Sequence, residues 1–163
     1  MRIDLAPITA ADREPVMDIF NHYIENGFAA YPEQRLPYEF FDTLLSMCQG
    51  YPSAVARDEA GCIVGFGMLR PYSPIPTFAQ TAEIAYFLMP EATGKGIGKS
   101  ILEHLVLEGK EKGLTSILAS ISSLNEGSVR FHLGNGFSEF GRFKGVGRKK
   151  GRTFDVVYCQ RML

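Results

Sequence analysis

Apolar residues recur along this chain with two periods, and the switches between them divide it into elements. Residues 3–5 read as a short strand. Thr9 caps an expected helix over residues 10–25, with Val16, Ile19, Phe20 and Tyr23 as its apolar stripe and Asn26-Gly27 as its end. A second helix follows Pro37, carrying Phe40, Phe41, Leu44, Leu45 and Met47 until Gly50 stops it. Residues 53–57 and 62–69 read as strands around the turn Asp58-Glu59-Ala60-Gly61. Pro71, Pro74 and Pro76 stiffen the next loop, and an apolar strand spans 81–88 before Met89-Pro90. Ile97, Ile101, Leu102, Leu105 and Val106 predict a helix over 96–112, with Gly113 as terminator. A buried strand over 116–121, a helix from Asn125 to Asn135-Gly136, and a hairpin of 137–146 with 153–162 complete the chain. The order β-α-α-β-β-β-α-β-α-β-β predicts an α/β fold: one mixed sheet of six to seven strands, with about four helices on its two faces.

No repeat, low-complexity tract or linker interrupts this order, so residues 1–163 read as a single domain. Lys and Arg number 17 against 18 Asp and Glu, a net charge of −1 that offers nucleic acid or an anionic membrane no attracting field. The densest basic run, Arg148-Lys149-Lys150 with Arg152, is flanked by glycines and reads as a solvated hairpin turn. No apolar stretch approaches the ~20 residues of a membrane span, and Met1-Arg2-Ile3-Asp4 lacks the pattern of a signal peptide. Cys48, Cys62 and Cys159 form no Cys-x-x-Cys pair, so they read as thiols in a reducing cytoplasm rather than a disulfide framework or zinc site.

The segment Thr93-Gly94-Lys95-Gly96-Ile97-Gly98-Lys99-Ser100 lies between a strand and a strongly periodic helix. Glycine costs a helix about 1 kcal/mol relative to alanine, and lysine near a helix start is opposed by the macrodipole. Both become favourable where an anion binds, because bare glycine amides approach phosphate oxygens and lysines add charge. The other reading is a tight turn with two exposed lysines. A triphosphate loop, G-x-x-x-x-G-K-S/T, fits at Gly98-Lys99-Ser100 but needs glycine where Thr93 stands. Strand 116–121 also ends without an aspartate for Mg²⁺. The dinucleotide fingerprint G-x-G-x-x-G fails on spacing, and no acidic residue closes the next strand to hold a ribose.

Thr93-Gly94-Lys95-Gly96-Ile97-Gly98 resembles, in all but its first position, the pyrophosphate loop Gln/Arg-x-x-Gly-x-Gly/Ala of the GNAT acetyltransferases, which lies between their fourth strand and third helix. Asn125 with Arg130-Phe131-His132-x-x-x-Gly136-Phe137 resembles the family's fourth-helix motif. Asn21-His22-Tyr23-Ile24, Glu83, Asn125-x-x-Ser128-Val129-Arg130-Phe131-His132, and Asp155 with Gln160-Arg161 resemble the phosphinothricin-acetyltransferase-like branch. The likeness runs over nearly the whole chain. It departs where Ser73 and Ile75 stand in place of basic residues, and where Thr153-Phe154 replaces a tryptophan segment in a chain with no Trp. The acceptor thus stays open between an anionic amino acid and a less charged or more apolar amine.

The resemblance implies a cytoplasmic N-acetyltransferase that uses acetyl-CoA and no metal to acetylate the primary amine of a small molecule, by direct transfer in a ternary complex. Related enzymes are often dimers, so a homodimer joined through the final hairpin is expected. Backbone groups of Tyr86, Phe87 and Leu88 would pair with the pantetheine arm. Thr93, Gly94, Lys95, Gly96, Ile97, Gly98 and Lys99 would hold the pyrophosphate, and Asn125 and Ser128 would touch the coenzyme arm. An alkyl ammonium, with a pKa of about 10, must lose a proton before it can attack. Glu83, the only acidic residue of an apolar strand, is the candidate base, in surroundings that would raise its pKa; the other reading is an edge charge or core ion pair. His132 stands where many GNAT enzymes carry a tyrosine that protonates the sulfur, the alternative being a buried, hydrogen-bonded histidine. His104, beside Glu103, reads as a surface residue. Phe28, Tyr31, Tyr72 and Phe78 are the candidate acceptor contacts. Rival readings are a protein or peptide N-acetyltransferase, a non-catalytic coenzyme-binding module, and a nucleotide-phosphate enzyme.

Overall fold

The computed structural model describes residues 1–163. Its elements follow the expected order: β1 (Asp4–Ala6), α1 (Arg13–Glu25), α2 (Phe40–Met47), β2 (Ser53–Arg57), β3 (Ile63–Pro71), β4 (Thr81–Leu88), α3 (Ile97–Glu111), β5 (Ser116–Ser122), α4 (Glu126–Leu133), β6 (Ser138–Lys149) and β7 (Arg152–Met162). The first helix begins later than its apolar pattern implies. Residues 10–12 form a 3-10 turn, because Asp12 turns its carboxylate back to the Thr9 amide at 2.8 Å and onto Arg57 at 2.5 Å.

The strands form one sheet in the order β1-β2-β3-β4-β5-β7-β6. Every pairing is antiparallel except β4 with β5. That parallel step requires a crossover, and α3 supplies it. Side chains alternate across the sheet. Ala54, Ala56, Val64, Leu69, Ala82, Ile84, Ile117 and Ala119 meet α3, with Val129 and Phe131 of α4 packed beside them. Val55, Ile63, Phe66 and Met68 meet Val16, Met17 and Ile19 of α1 and Phe41 and Leu44 of α2. The sheet thus separates an α3/α4 face from an α1/α2 face. Gly67 lets α3 lie close to β3: a Cβ there would sit 2.7 Å from the Ile101 side chain.

The β6–β7 tip departs from the sequence reading. Lys149 is not solvated; only 1% of it is exposed. Its Nζ donates to the carbonyls of Ala30 at 2.7 Å and Tyr23 at 3.4 Å. Lys150 donates from Nζ to the Glu25 carbonyl and from its amide to Glu33. Tyr23 and Glu25 belong to the last turn of α1, so two ammonium groups meet the carbonyl-rich, negative end of that helix. This accounts for a buried lysine with no carboxylate in its hydrogen bonds. Burial pushes its pKa down, Lys150 adds to that, and Glu33 opposes it. Arg152 lies over the Phe28 ring at 5.2 Å. The tip thereby pins the segment after α1, and Lys149→Ala, which strands two carbonyls, is expected to cost about 1–3 kcal/mol in urea unfolding. The exposed Lys150→Ala should cost less; equal stability of wild type and Lys149→Ala would contradict the assignment.

Candidate active site

Pairing between β4 and β5 covers only Thr81–Ser116, Ala82–Ile117 and Glu83–Leu118. Beyond these rungs β4 stays paired to β3 as far as Leu88, and β5 stays paired to β7 as far as Ser122. The two strands therefore part into a fork with Glu83 at its apex. Tyr72 N–H donates to Thr81 and Met89 N–H to Val64, so odd-numbered residues of β4 turn their backbone groups toward β3. The Ile84 carbonyl and the backbone groups of Tyr86 and Leu88 face the fork, where no strand meets them, whereas Phe87, expected to share that role, turns its backbone groups to β3. The Leu88 carbonyl accepts from Tyr23 Oη at 2.7 Å. A cavity of about 870 Å³ fills the fork, the size of a small-molecule site.

On the α3/α4 face the cavity reaches Thr93, Gly94, Gly96, Gly98 and Lys99. Gly94 and Gly96 take φ of +73° and +82°, which other residues rarely adopt. Gly96 caps α3 without a side-chain bond, and no acidic residue occupies the first turn. The helix start therefore presents free amides and Lys99 to the cavity, the arrangement an anion needs. At Gly98 a Cβ would meet only ordinary contacts, 3.6 Å from Leu88 and Phe131, so packing alone does not demand glycine there. Lys95 does not line the cavity and the Ile97 side chain is in the core, so at these two positions the backbone amide is the group left to meet an anion. Asn125 and Ser128 do line it, although Asn125 Oδ1 also caps its own helix on the Ser128 amide.

His132 is 4% exposed and packs edge-on against Phe137 at 4.9 Å. Its Nδ1 lies 2.7 Å from the Ser128 carbonyl, which only accepts, so Nδ1 carries the proton. Nε2 is then an acceptor, 2.6 Å from Tyr86 Oη. Burial lowers the imidazole pKa, and the Ser128 bond opposes that in part. Burial pushes the Tyr86 hydroxyl pKa upward. Sequence reasoning gave Tyr86 only a backbone role, because a strand pattern does not report where a phenol reaches across a fork.

On the α1/α2 face Glu83 is not isolated among apolar groups, as its strand alone implies. Arg70, its cross-strand neighbour, donates from Nη2 to Glu83 Oε2 at 3.1 Å. Glu83, Arg70 and Lys99 are the only Asp, Glu, Lys or Arg residues lining the cavity. Tyr31 also lines it, with its hydroxyl 2.9 Å from Ser120 Oγ and its ring stacked on Phe154 at 5.8 Å. Phe20, Leu44, Met47, Phe66 and Met68 give this side an apolar wall. Phe28, Tyr72 and Phe78 do not reach the cavity. Phe28 packs on Phe154 and Arg152. Tyr72 stands against Phe78 and lines a separate shallow pocket with Leu118, Phe140 and Tyr158. Arg70 is a basic residue near the proline-rich loop in the sequence, but only strand register pairs it with Glu83, and only a tertiary contact brings Ser120 to Tyr31.

The Acetyltransferase (GNAT) family profile matches residues 16–137. This chain belongs to the GNAT acetyltransferase family. Phosphinothricin N-acetyltransferase of Streptomyces viridochromogenes is 31% identical to it, over 98% of this chain and 87% of that protein. The L-methionine sulfoximine/L-methionine sulfone acetyltransferase of Pseudomonas aeruginosa is 31% identical over 92% and 88%. A GNAT superfamily phosphinothricin acetyltransferase from Sinorhizobium meliloti, solved in complex with acetyl-CoA, superimposes with a TM-score of 0.95 at 32% identity, covering 100% of this chain and 89% of that one. In this GNAT enzyme no helix is long and apolar enough to cross a membrane.

The neutral, buried His132 ties stability to pH. Below the ordinary imidazole value of 6.5 the unfolded chain takes up a proton that the folded site resists, so this stability is complete above that value and declines as pH falls toward the lowered folded value. Wild type should therefore lose more stability between pH 7.5 and 5.5 than His132→Gln, in paired urea titrations that cancel the other titrating groups. Equal losses would contradict it.

Proposed function

We propose that this GNAT enzyme transfers acetyl from acetyl-CoA to the amine of a small, amino-acid-like acceptor within a ternary complex. The observation that carries this reading is the single cavity running through the fork, with a helix start on one face and Glu83 with Arg70 on the other. The glycine turn, Lys99 and the α4 start take the coenzyme; the free amides of Tyr86 and Leu88 bind its arm along β4. An amide of that edge also meets the thioester oxygen as charge develops. Glu83 removes the ammonium proton, directly or through a water, and His132 serves the sulfur end. Arg70 is the one cation on the acceptor face and keeps donors free for a carboxylate, while Met47, Leu44 and Met68 favour an apolar side chain. The relatives named for phosphinothricin and for methionine sulfoximine and sulfone support that class. Burial raises the pKa of the Cys48 and Cys159 thiols, and no cysteine lines the cavity, which supports direct transfer.

A second copy of the chain is proposed to cover β6, an edge strand that leaves Phe140 70% and Phe143 60% exposed. Sedimentation at micromolar concentration giving a monomer would remove that proposal. The reading remains that of an enzyme working in the cytoplasm.

Calorimetry with acetyl-CoA and ATP tests the donor. Acetyl-CoA should bind wild type. Gly98→Ala should weaken it about tenfold or more, since the methyl enters the cavity, while thermal stability holds or rises because alanine suits a helix better. Thiol release across amino acids, amines and peptides should find an amino-acid acceptor, with Glu83→Gln slowing its turnover about 10²–10⁴-fold. Binding of ATP and not acetyl-CoA would overturn the proposal, and full turnover by Glu83→Gln would remove the base.

A further inference from the structure

The tautomer of His132 leaves the sulfur end of the reaction without an obvious proton donor. Its one N–H is spent on the Ser128 carbonyl, and its free nitrogen accepts from Tyr86. The only proton between this pair is on the Tyr86 hydroxyl, and both residues line the cavity. Even-numbered side chains of β4 lie on the α3/α4 face, so Tyr86 stands on the coenzyme side of the fork while Glu83 stands on the acceptor side. Three strand residues, about 10 Å, separate the two groups along the edge that the coenzyme arm would follow.

Resting on the acetyl transfer proposed above, we infer that Tyr86 and His132 form a proton shuttle that carries the second amine proton to the departing sulfur. Glu83 takes the first proton from the ammonium, and the free amine attacks the thioester carbon. The tetrahedral adduct then holds a positively charged nitrogen and a negatively charged oxygen. Tyr86 Oη accepts a proton from that nitrogen as its own proton passes to His132 Nε2, which leaves an imidazolium. The oxyanion re-forms the carbonyl, the C–S bond breaks, and its electron pair goes to sulfur. The imidazolium proton returns to Tyr86 Oη as the hydroxyl proton moves to sulfur. The products are the amide and the neutral thiol, with Tyr86 and His132 restored; Glu83 releases its proton to solvent.

The surroundings suit a relay. Burial raises the Tyr86 pKa, so a free phenolate is disfavoured, and a hydroxyl that gains one proton as it loses another never becomes one. Burial also lowers the His132 pKa, so the imidazole holds the extra proton weakly and returns it. The Ser128 carbonyl keeps the ring in the tautomer the relay needs, a positioning role.

The test compares wild type, Tyr86→Phe, His132→Gln and the double variant with acetyl-CoA and L-methionine sulfone, or the best amino acid of the panel. Tyr86→Phe removes one hydroxyl; it should lower kcat about 100-fold, leaving acceptor KM, acetyl-CoA Kd and the melting temperature close to wild type. The double variant should be no slower than the slower single variant, because the pair acts as a unit. A Tyr86→Phe kcat within threefold of wild type, or losses that multiply, would overturn the shuttle. Wild type that fails to bind acetyl-CoA would instead overturn the enzyme reading. Imidazole ¹⁵N spectra give a readout independent of turnover: Nδ1 should be protonated and Nε2 should shift in Tyr86→Phe, whereas an Nε2–H tautomer would sink the shuttle.

Discussion

Beyond Glu83 and Leu118 the two parallel strands at the centre of the sheet share no further pairing, although each remains bonded on its outer side. A sheet does not ordinarily leave interior backbone groups without partners, because each costs about the free energy of a lost hydrogen bond. Here the backbone groups of Tyr86 and the Leu88 amide border a cavity, where an extended ligand can bond to them as a strand would. The fork also connects the two faces of the sheet, which elsewhere are sealed from each other by packed side chains. The proposed reaction uses this opening: donor and acceptor would approach from opposite faces and meet where β4 and β5 part.

Alternation along β4 then assigns chemistry to each face. Glu83 lies with Arg70 on the side of α1 and α2, and Tyr86 with His132 on the side of α3 and α4. The cavity wall on the α1/α2 side depends in turn on a distant element. Tyr31 reaches the cavity from the segment after α1, and that segment is held by Lys149, Lys150 and Arg152 at the β6–β7 tip and by the Phe154 ring. Gly147 belongs to the same arrangement, since any Cβ there would collide with Phe154. The hairpin thus shapes a site to which it contributes no lining residue.

Much of the fold was legible because its elements are strongly periodic: the bounds of β2 and β4 coincide with the apolar runs, and α3 with its stripe. The open helix start beside the cavity was legible because glycine and lysine at a helix start contradict local preference. Contacts set by tertiary register were not legible. Nothing local to Glu83 announces Arg70, and nothing in a basic tetrad flanked by glycines announces that Lys149 caps a helix more than a hundred residues earlier. The aromatics assigned to the acceptor divide for the same reason: Tyr31 reaches the cavity, while Phe28, Tyr72 and Phe78 are taken up by contacts with other rings.

Amide hydrogen exchange with and without acetyl-CoA, followed residue by residue, tests most directly whether the fork is the donor slot. Slowed exchange at Tyr86 and Leu88, together with the amides of the turn from Gly94 to Lys99, is the result this account predicts. Unchanged exchange along that edge of β4, with protection appearing on another surface while the coenzyme is bound, would contradict it.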